Sequence, residues 1–279
     1  MDIGLNDLLK IVKEVSSGSR SDYRRRVLDL EDFLLTLPQL EIPHISRVHG
    51  GMYCREMTVP KGAIVTGQIY KFDHFEVMVS GDITVPMENG EIKRLKGYNC
   101  LESLAGKKRV VYAHEDTIWM TFHPFSGKDG EEIQKFITAD TFEDLEFFHR
   151  TVNQGDYKTF VKRSGLTEKE IRKIAEESSD MIDLPAEYDH LYISDSDIEG
   201  LGFYSKISIN KGDVICPSRI GDKRTQAGRY VNHAMLPNAK MILQDNEWLL
   251  VAMRDIEASE EITTNYNDTF NTRQMEGDL

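Results

Sequence analysis

Residues 229–239 of the chain read RYVNHAMLPNA, and residues 251–266 read VAMRDIEASEEITTNY. A third stretch, EGLGFY at 199–204, precedes them and contains two glycines separated by one residue. Such a pair alone most often marks a tight turn between strands. It is not a dinucleotide-binding fingerprint, because the third glycine is missing and the following residues favour a strand rather than a helix.

Taken in this order and spacing, the three stretches resemble the SET-domain protein lysine methyltransferases. The family pattern is GxG, then RFINHSCxPN, then AxRDIxxGEELTxDY. The residues that match the second and third parts are Arg229, Asn232, His233, Pro237, Asn238, Ala252, Arg254, Asp255, Ile256, Glu260, Glu261, Thr263 and Tyr266. The resemblance covers residues 185–279 and is nearest to the short viral SET proteins.

The resemblance implies small β-sheets in which the last segment threads beneath a preceding loop and lies beside the Asn232-His233 strand. It also implies S-adenosylmethionine as methyl donor and a lysine ε-amine as acceptor, entering a narrow channel from opposite faces. No zinc is expected, because no cysteine-rich tail follows Tyr266. The implied cofactor-binding residues are Gly200, Leu201, Gly202, Arg229, Asn232, His233 and Phe270.

The residue types suit those roles. Glycines at 200 and 202 let the backbone approach a ligand closely, where a Cβ would clash. The amide of Asn232 and the ring of His233 offer both donors and acceptors to the polar ends of the cofactor. The alternatives are a turn-forming asparagine and a core histidine bonded to a carbonyl.

Tyr266 is the predicted catalytic residue. The amine that accepts a methyl group must be neutral, and with a reference pKa of ~10.4 the neutral form of lysine costs roughly 4–5 kcal/mol at pH 7. A positive methyl donor and an apolar channel both disfavour the ammonium form, so no dedicated carboxylate base is required. The Tyr266 hydroxyl can orient the amine while its ring lines the channel. The alternative is a buried tyrosine that only caps a strand.

Several positions depart from the family pattern. They are Ala234, Met235, Ser259 and Asn265, where Ser, Cys, Gly and Asp are usual. Residues 216–220 also lack the tyrosine that many SET enzymes place in the lysine channel, and Tyr204 or Tyr230 is the candidate substitute. These departures leave the number of methyl groups transferred open.

The region from residue 42 to residue 125 has a sequence pattern typical of β-strands. Short β-branched and aromatic runs are separated by turn sequences, among them the Asn89-Gly90 hairpin signal, which favours a small barrel or double-sheet jelly roll. Residues 60–85, PKGAIVTGQIYKFDHFEVMVSGDITV, resemble the first half of a cupin barrel.

A catalytic cupin holds a metal with two or three histidines and a glutamate. This region offers His74, Glu76, His114 and His123 but no HxH pair, and Tyr70 and Arg109 stand near the expected ligand positions. His74 and His114 are the candidate ligands. The favoured interpretation, however, is a barrel without a metal, used for packing or oligomer contacts, with hydrogen-bonded histidines.

Helices are predicted elsewhere. One begins at Asn6 and another covers about 22–37. The polar stretch 126–184 is also predicted to be helical, with a capping box from Thr167 to Glu170. It contains no motif that indicates catalysis or binding. The predicted fold is therefore α+β and mainly β. The predicted domains are an N-terminal helical segment (1–41), a cupin-like β-barrel (42–125), a helical connector (126–184) and a SET domain (185–279).

Net charge and cysteine content limit the classes of partner and the cellular compartment that are expected. Thirty-four Lys and Arg against 47 Asp and Glu give a net charge of −13, which argues against nucleic-acid binding and is compatible with a basic protein partner. Three distant cysteines indicate a reducing compartment, and neither a membrane span nor a basic leader is found, so a cytoplasmic location is expected.

The leading hypothesis is a protein lysine methyltransferase acting on a lysine-bearing, basic segment, with the N-terminal barrel selecting a partner or building a homo-oligomer. A second hypothesis is a non-catalytic interaction or virion-associated protein that keeps the SET fold. A third is metal-dependent cupin chemistry, for which the ligand set looks incomplete.

Overall fold

The computed structural model describes residues 15, 20–87, 91–125, 130–245 and 247–276. The predicted helix beginning at Asn6 and the Asn89-Gly90 turn lie outside the described residues. The chain forms two compact units, residues 1–146 and 147–279. None of the helices in the described ranges is long and apolar enough to cross a membrane.

The first unit is built mainly from two antiparallel sheets. A five-stranded sheet has the order β1-β2-β10-β5-β8, and a four-stranded sheet has the order β3-β9-β6-β7. A short β4–β11 pair adjoins helix α2 in sequence. The elements are α1 (Arg20–Leu35), β1 (His44–His49), β2 (Met52–Val59), β3 (Ile64–Thr66), β4 (Ile69–Tyr70), β5 (His74–Ser80), β6 (Asp82–Pro86), β7 (Ile92–Lys96), β8 (Asn99–Ser103), β9 (Val110–Ala113), β10 (Thr117–Pro124), α2 (Gly130–Ile137) and β11 (Thr138–Ala139).

Side-chain alternation sets which face of each strand is buried. Along β10 the residues from Thr117 to His123 alternate between buried and half-buried, as expected for a strand that covers a core on one face. Trp119 packs in this core with Met78 and Ile83, both fully buried. Val27 of α1 is fully buried and belongs to a separate cluster with Val110 and Tyr112.

The second unit contains three small sheets and several helices. Its sheets have the orders β12-β13-β20-β17, β14-β19-β18 and β15-β16. The unit boundary falls within α3. The elements are α3 (Phe142–Ser164), α4 (Glu168–Glu176), a 3₁₀ turn (Ala186–Tyr188), β12 (Leu191–Asp195), β13 (Leu201–Ser205), β14 (Val214–Pro217), β15 (Arg219–Ile220), β16 (Lys223–Arg224), α5 (Gln226–Tyr230), β17 (Asn232–His233), β18 (Ala239–Gln244), β19 (Glu247–Ala252), β20 (Glu261–Thr264) and α6 (Tyr266–Glu276).

The core of this unit is apolar and continuous. Phe203, Leu250, Ile256 and Ile262 are its most deeply buried large members, together with Cys216. The capping box predicted at Thr167 is confirmed, with both reciprocal hydrogen bonds to Glu170 present. The α+β, mainly β fold class is likewise confirmed.

The turn between β5 and β6 requires glycine at position 81. Gly81 has φ +124°, and a Cβ there would overlap the side chain and backbone of Thr117. We expect Gly81→Ala to lower the free energy of unfolding by about 3 kcal/mol, because it adds a steric overlap to an unfavourable backbone conformation. Urea denaturation followed by tryptophan fluorescence measures the loss.

Gly62→Ala is the matched control. Gly62 also has a positive φ, +83°, but no heavy atom of a described residue lies within 4 Å of its would-be Cβ. It should cost only about 1 kcal/mol. Equal losses for the two variants would contradict the steric argument.

Candidate functional site

Two short strands bring together the second and third stretches that match the family pattern. β17 runs parallel to β20, with Asn232 opposite Thr263 and His233 opposite Thr264. The chain then turns directly into α6, whose first residue is Tyr266. The Tyr266 amide donates to Nδ1 of His233 at 3.1 Å, and its hydroxyl donates to the carbonyl of Val231 at 2.9 Å. The segments 231–233 and 263–266 therefore form one site.

The amide of Asn232 is directed inward by several acceptors. Its Nδ2 lies 2.8 Å from Oε1 of Glu261 and 3.0 Å from Oγ of Ser196. It also donates to the carbonyls of Glu199 and Leu201, at 3.1 and 3.2 Å. The oxygen Oδ1 of Asn232 accepts no hydrogen bond from a described residue, so it is available to a donor on a ligand.

The two glycines differ in what surrounds them. Gly200 has φ +55°, and no described heavy atom lies within 4 Å of a Cβ built there. A Cβ at Gly202 would instead overlap Oε1 of Glu261, the acceptor of the Asn232 amide. Leu201 between them is 46% exposed. Gly200 therefore borders open space, whereas Gly202 permits close packing under the Asn232 side chain.

The ionisable groups beside β17 are kept neutral by burial. Burial raises the pKa of the Tyr266 phenol well above its usual 10, with Tyr157 and Glu261 adding to the effect. Burial also lowers the pKa of His233, although Asp156 and Asp268 oppose the shift. At pH 7 the site thus presents a protonated phenol and a neutral imidazole.

Comparison with known proteins identifies the family. The SET-domain family model matches residues 128–267, half of the chain. The chain belongs to the SET-domain family. The match begins well before residue 185, so it includes α3 and α4 as well as the β-sheets of the second unit.

Solved structures similar to the chain fall into two groups. A Plasmodium falciparum protein named as a candidate histone methyltransferase is 24% identical over 28% of this chain and 92% of its own, with a TM-score of 0.24. A cupin superfamily protein from Desulfitobacterium hafniense is 10% identical over 32% of this chain and 83% of its own, with a TM-score of 0.28. A cupin domain from Bordetella pertussis is also 10% identical, over 32% and 99%, with a TM-score of 0.27. No curated protein matches the chain.

Helix α3 contributes residues to the SET-domain site that the sequence analysis missed. The ring centroid of Phe160 lies 5.5 Å from that of Tyr266, and the ring of Tyr157 lies 6.4 Å from Tyr266 and 6.1 Å from His233. Asp156 places Oδ2 3.4 Å from Nε2 of His233. The spacing of Asp156, Tyr157 and Phe160 puts them on one helix face, a pattern visible in the sequence.

Phe270 of α6 also packs against α3. Its ring lies 6.2 Å from Phe160 and 5.9 Å from the guanidinium carbon of Arg163. It therefore extends the aromatic cluster formed by Tyr157, Phe160 and Tyr266. Its implied contact with a cofactor stays a prediction.

Tyr204 and Tyr230, the candidate channel tyrosines, have different surroundings. The hydroxyl of Tyr204 donates to the carbonyl of Asp195 at 2.8 Å, and burial together with the charge of Glu261 raises its pKa to about 12. Tyr230 packs against the apolar core and carries the Arg229 guanidinium over its ring at 5.2 Å. Within the described part of the chain, the ring of Tyr266 contacts the rings of His233, Tyr157 and Phe160. The channel role of Tyr204 or Tyr230 stays a prediction.

Arg229 anchors a helix. Its Nη1 donates to the carbonyls of Ala175 and, at 2.8 Å, Glu177, where α4 ends. A guanidinium at a helix C-terminus satisfies free carbonyls and complements the helix dipole. The geometry supports this structural role, and the cofactor contact implied for Arg229 stays a prediction.

The candidate metal ligands of the first unit have separate partners. Nε2 of His114 lies 2.8 Å from Oγ1 of Thr84, whereas Nε2 of His74 lies 3.3 Å from Oε1 of Glu76. Nε of Arg109 forms an ion pair with Oε2 of Glu76 at 2.9 Å. Burial by itself would raise the pKa of Glu76, but His74 and Arg109 outweigh it and the pKa is lowered.

The ring of His74 stacks on His123 at 4.4 Å rather than pairing with His114. Among the described residues, no group of three or more His, Cys, Asp or Glu is arranged to hold a metal ion. At Glu76 the neighbouring positive charge is the Arg109 guanidinium.

The packing of Gly202 can be tested by a double-mutant cycle. Gly202→Ala should displace the Glu261 carboxylate and break its bond to Asn232, lowering the free energy of unfolding by about 1–3 kcal/mol. In a Glu261→Ala background the same change should cost much less, since the overlapping atom is gone. Chemical denaturation of the four proteins measures the coupling, and additive losses would contradict the proposed contact.

Proposed function

We propose that the chain is an S-adenosylmethionine-dependent methyltransferase that acts on a lysine ε-amine of a protein. The observation that carries the proposal is the hydrogen bond from the half-buried Tyr266 hydroxyl to the carbonyl of Val231, one residue before Asn232. It places the phenol oxygen beside the strand that the family pattern assigns to cofactor binding.

The residues present fit the cofactor. Oδ1 of Asn232 is an acceptor without a described partner, which suits the ammonium group of an amino acid. Gly200 leaves open space beside a backbone that can donate and accept hydrogen bonds. Gly200, Leu201, Gly202, Asn232 and His233 would form this binding surface. S-adenosylmethionine, when bound, supplies a methyl group attached to a positively charged sulfur.

The phenol acts through its oxygen rather than as a base. Its proton is donated to Val231, and its raised pKa keeps it protonated at pH 7. The lone pairs of the oxygen are therefore directed away from Val231 and can accept an N–H from a lysine amine. Accepting that bond orients the nitrogen lone pair, and orientation of this kind lowers the barrier to reaction.

The aromatic surroundings favour the neutral amine. Tyr157, Phe160 and Tyr266 form an apolar wall, and an ammonium ion loses hydration against such a surface. Desolvation lowers the pKa of lysine from its usual ~10.4, which reduces the cost of deprotonation by water at pH 7. No carboxylate base is needed in this arrangement.

The substrate and setting follow from charge and composition. The net charge of −13 favours a basic, lysine-bearing protein segment over nucleic acid. We further propose a short viral or phage-like type of SET protein acting in the cytoplasm, whose first unit is a cupin-like barrel that selects the partner or mediates self-association. A protein that keeps the fold without turnover is the alternative favoured by Ala234, Met235 and the absence of a tyrosine in residues 216–220.

Calorimetry and transfer assays on variants test the proposal. Asn232→Ala should weaken S-adenosylmethionine binding by about 10–100-fold, because an acceptor for a charged group is lost. Tyr266→Phe should retain binding but reduce methyl transfer by about 100-fold or more, because the oriented oxygen is missing. Transfer is measured with methyl-labelled S-adenosylmethionine and lysate proteins as acceptors.

Tyr98→Phe, which alters a 71% exposed tyrosine of the first unit, is the control and should change neither quantity. Cofactor binding without transfer to any protein would favour the non-catalytic alternative. Failure of the wild-type chain to bind S-adenosylmethionine would reject the proposal.

A further inference from the structure

We infer that Asp156 of α3 is a positioning residue that holds the His233 ring in place and, through it, the backbone of Tyr266. The effect expected on methyl transfer rests on the proposed function. The contact itself does not, because it is defined by groups within the second unit alone.

The hydrogen bonds of His233 fix its protonation pattern. Nδ1 accepts the backbone N–H of Tyr266 at 3.1 Å, so Nδ1 carries no proton and the neutral ring carries its proton on Nε2. His233 is only 6% exposed, and Nε2 has no hydrogen-bond partner within the described part of the chain. The carboxylate oxygen Oδ2 of Asp156 lies 3.4 Å away, slightly beyond ordinary hydrogen-bond length.

The same carboxylate oxygen serves a second donor. Nδ2 of Asn265 donates to Oδ2 of Asp156 at 2.9 Å. The main-chain carbonyl of Asp156 also accepts a hydrogen bond from Nδ2 of Asn267, at 3.0 Å. One residue of α3 therefore contacts the ring beneath Tyr266 and the residues on both sides of it in sequence.

This arrangement explains a departure from the family pattern. Asn265 stands where the pattern has Asp. An aspartate at 265 would put a second carboxylate within hydrogen-bond distance of Asp156, and two carboxylates so close cannot both ionise without a large penalty. In this chain the negative charge is on α3, and position 265 supplies a donor to it.

The consequence for the site is geometric. If Asp156 is removed, the buried Nε2–H of His233 loses the carboxylate that lies 3.4 Å from it, and the ring is free to turn. Rotation of the ring weakens the hydrogen bond that the Tyr266 amide donates to Nδ1 at the start of α6. The phenol at position 266 then loses its orientation toward Val231.

Nuclear magnetic resonance of the 279-residue chain tests the inference without any substrate. In Asp156→Ala we expect the backbone amide of Tyr266 and the ring nitrogens of His233 to change chemical shift, because the bond between them weakens. Glu146→Gln, which removes an exposed carboxylate from the same helix, should leave both unchanged. Unchanged resonances in Asp156→Ala would overturn the inference.

A charge-swap series gives a second readout that tolerates poor folding of any one variant. Asn265→Asp should lower the urea midpoint, because it places two carboxylates together. Asp156→Asn/Asn265→Asp should recover part of that loss, since one carboxylate remains. A double variant no more stable than Asn265→Asp would overturn the direct contact.

Activity then separates the two proposals. If the wild-type chain transfers methyl groups, Asp156→Ala should lower kcat by about 10–100-fold, because orientation of the phenol is lost, and Asp156→Asn should retain more activity than Asp156→Ala. An unchanged kcat would overturn the inference while leaving the proposed function intact. A wild-type chain without transfer would overturn the proposed function, whereas the resonance shifts would still decide the role of Asp156.

Discussion

The parallel pairing of β17 with β20 is the constraint on which the second unit depends. Only two residues of each strand take part, yet they place Asn232 and His233 beside the segment that leads into Tyr266. So short a ladder contributes little stability by itself. It is fixed by side-chain bonds across it, above all those from Asn232 to Glu261 and from Asn238 to the backbone of residues 261 and 263.

Asn238 shows how the ladder is secured. Its side chain is almost fully buried, its amide donates to the carbonyl of Glu261 at 2.8 Å, and its Oδ1 accepts the N–H of Thr263 at 2.8 Å. A side chain that bonds both a donor and an acceptor of the backbone acts like one rung of a sheet. The family pattern therefore mixes residues of two kinds, since Asn238 secures the fold while Asn232 leaves one oxygen for a ligand.

The sequence predicted most where the pattern is local or matches the family. The capping box at Thr167 depends on four successive residues, so it can be predicted from the sequence. The β-strands of residues 42–125 can be predicted for the same reason, because their pattern of apolar and polar side chains is local. Ser259 stands where the family pattern has glycine, and its φ of +65° is a backbone conformation that favours glycine. The role of α3 was missed because Asp156 lies 77 residues from His233, and no local pattern reports which face of a polar helix meets a distant strand.

The neighbours of His74 and His114, the two candidate metal ligands, could not be predicted for a related reason. Alternation predicts that His74 and Glu76 share the inner face of β5, but it cannot rank the partners offered by other strands. The structure stacks His123 on His74 and brings Arg109 onto Glu76. His114 faces Thr84 and Tyr112 instead.

Arg109 gives the interior of the first unit a property that a metal site would lack. Its guanidinium is attached to the backbone, so it cannot be removed by a chelator or exchanged for another ion. The charge of the buried Glu76 carboxylate is therefore balanced by another side chain of the same unit.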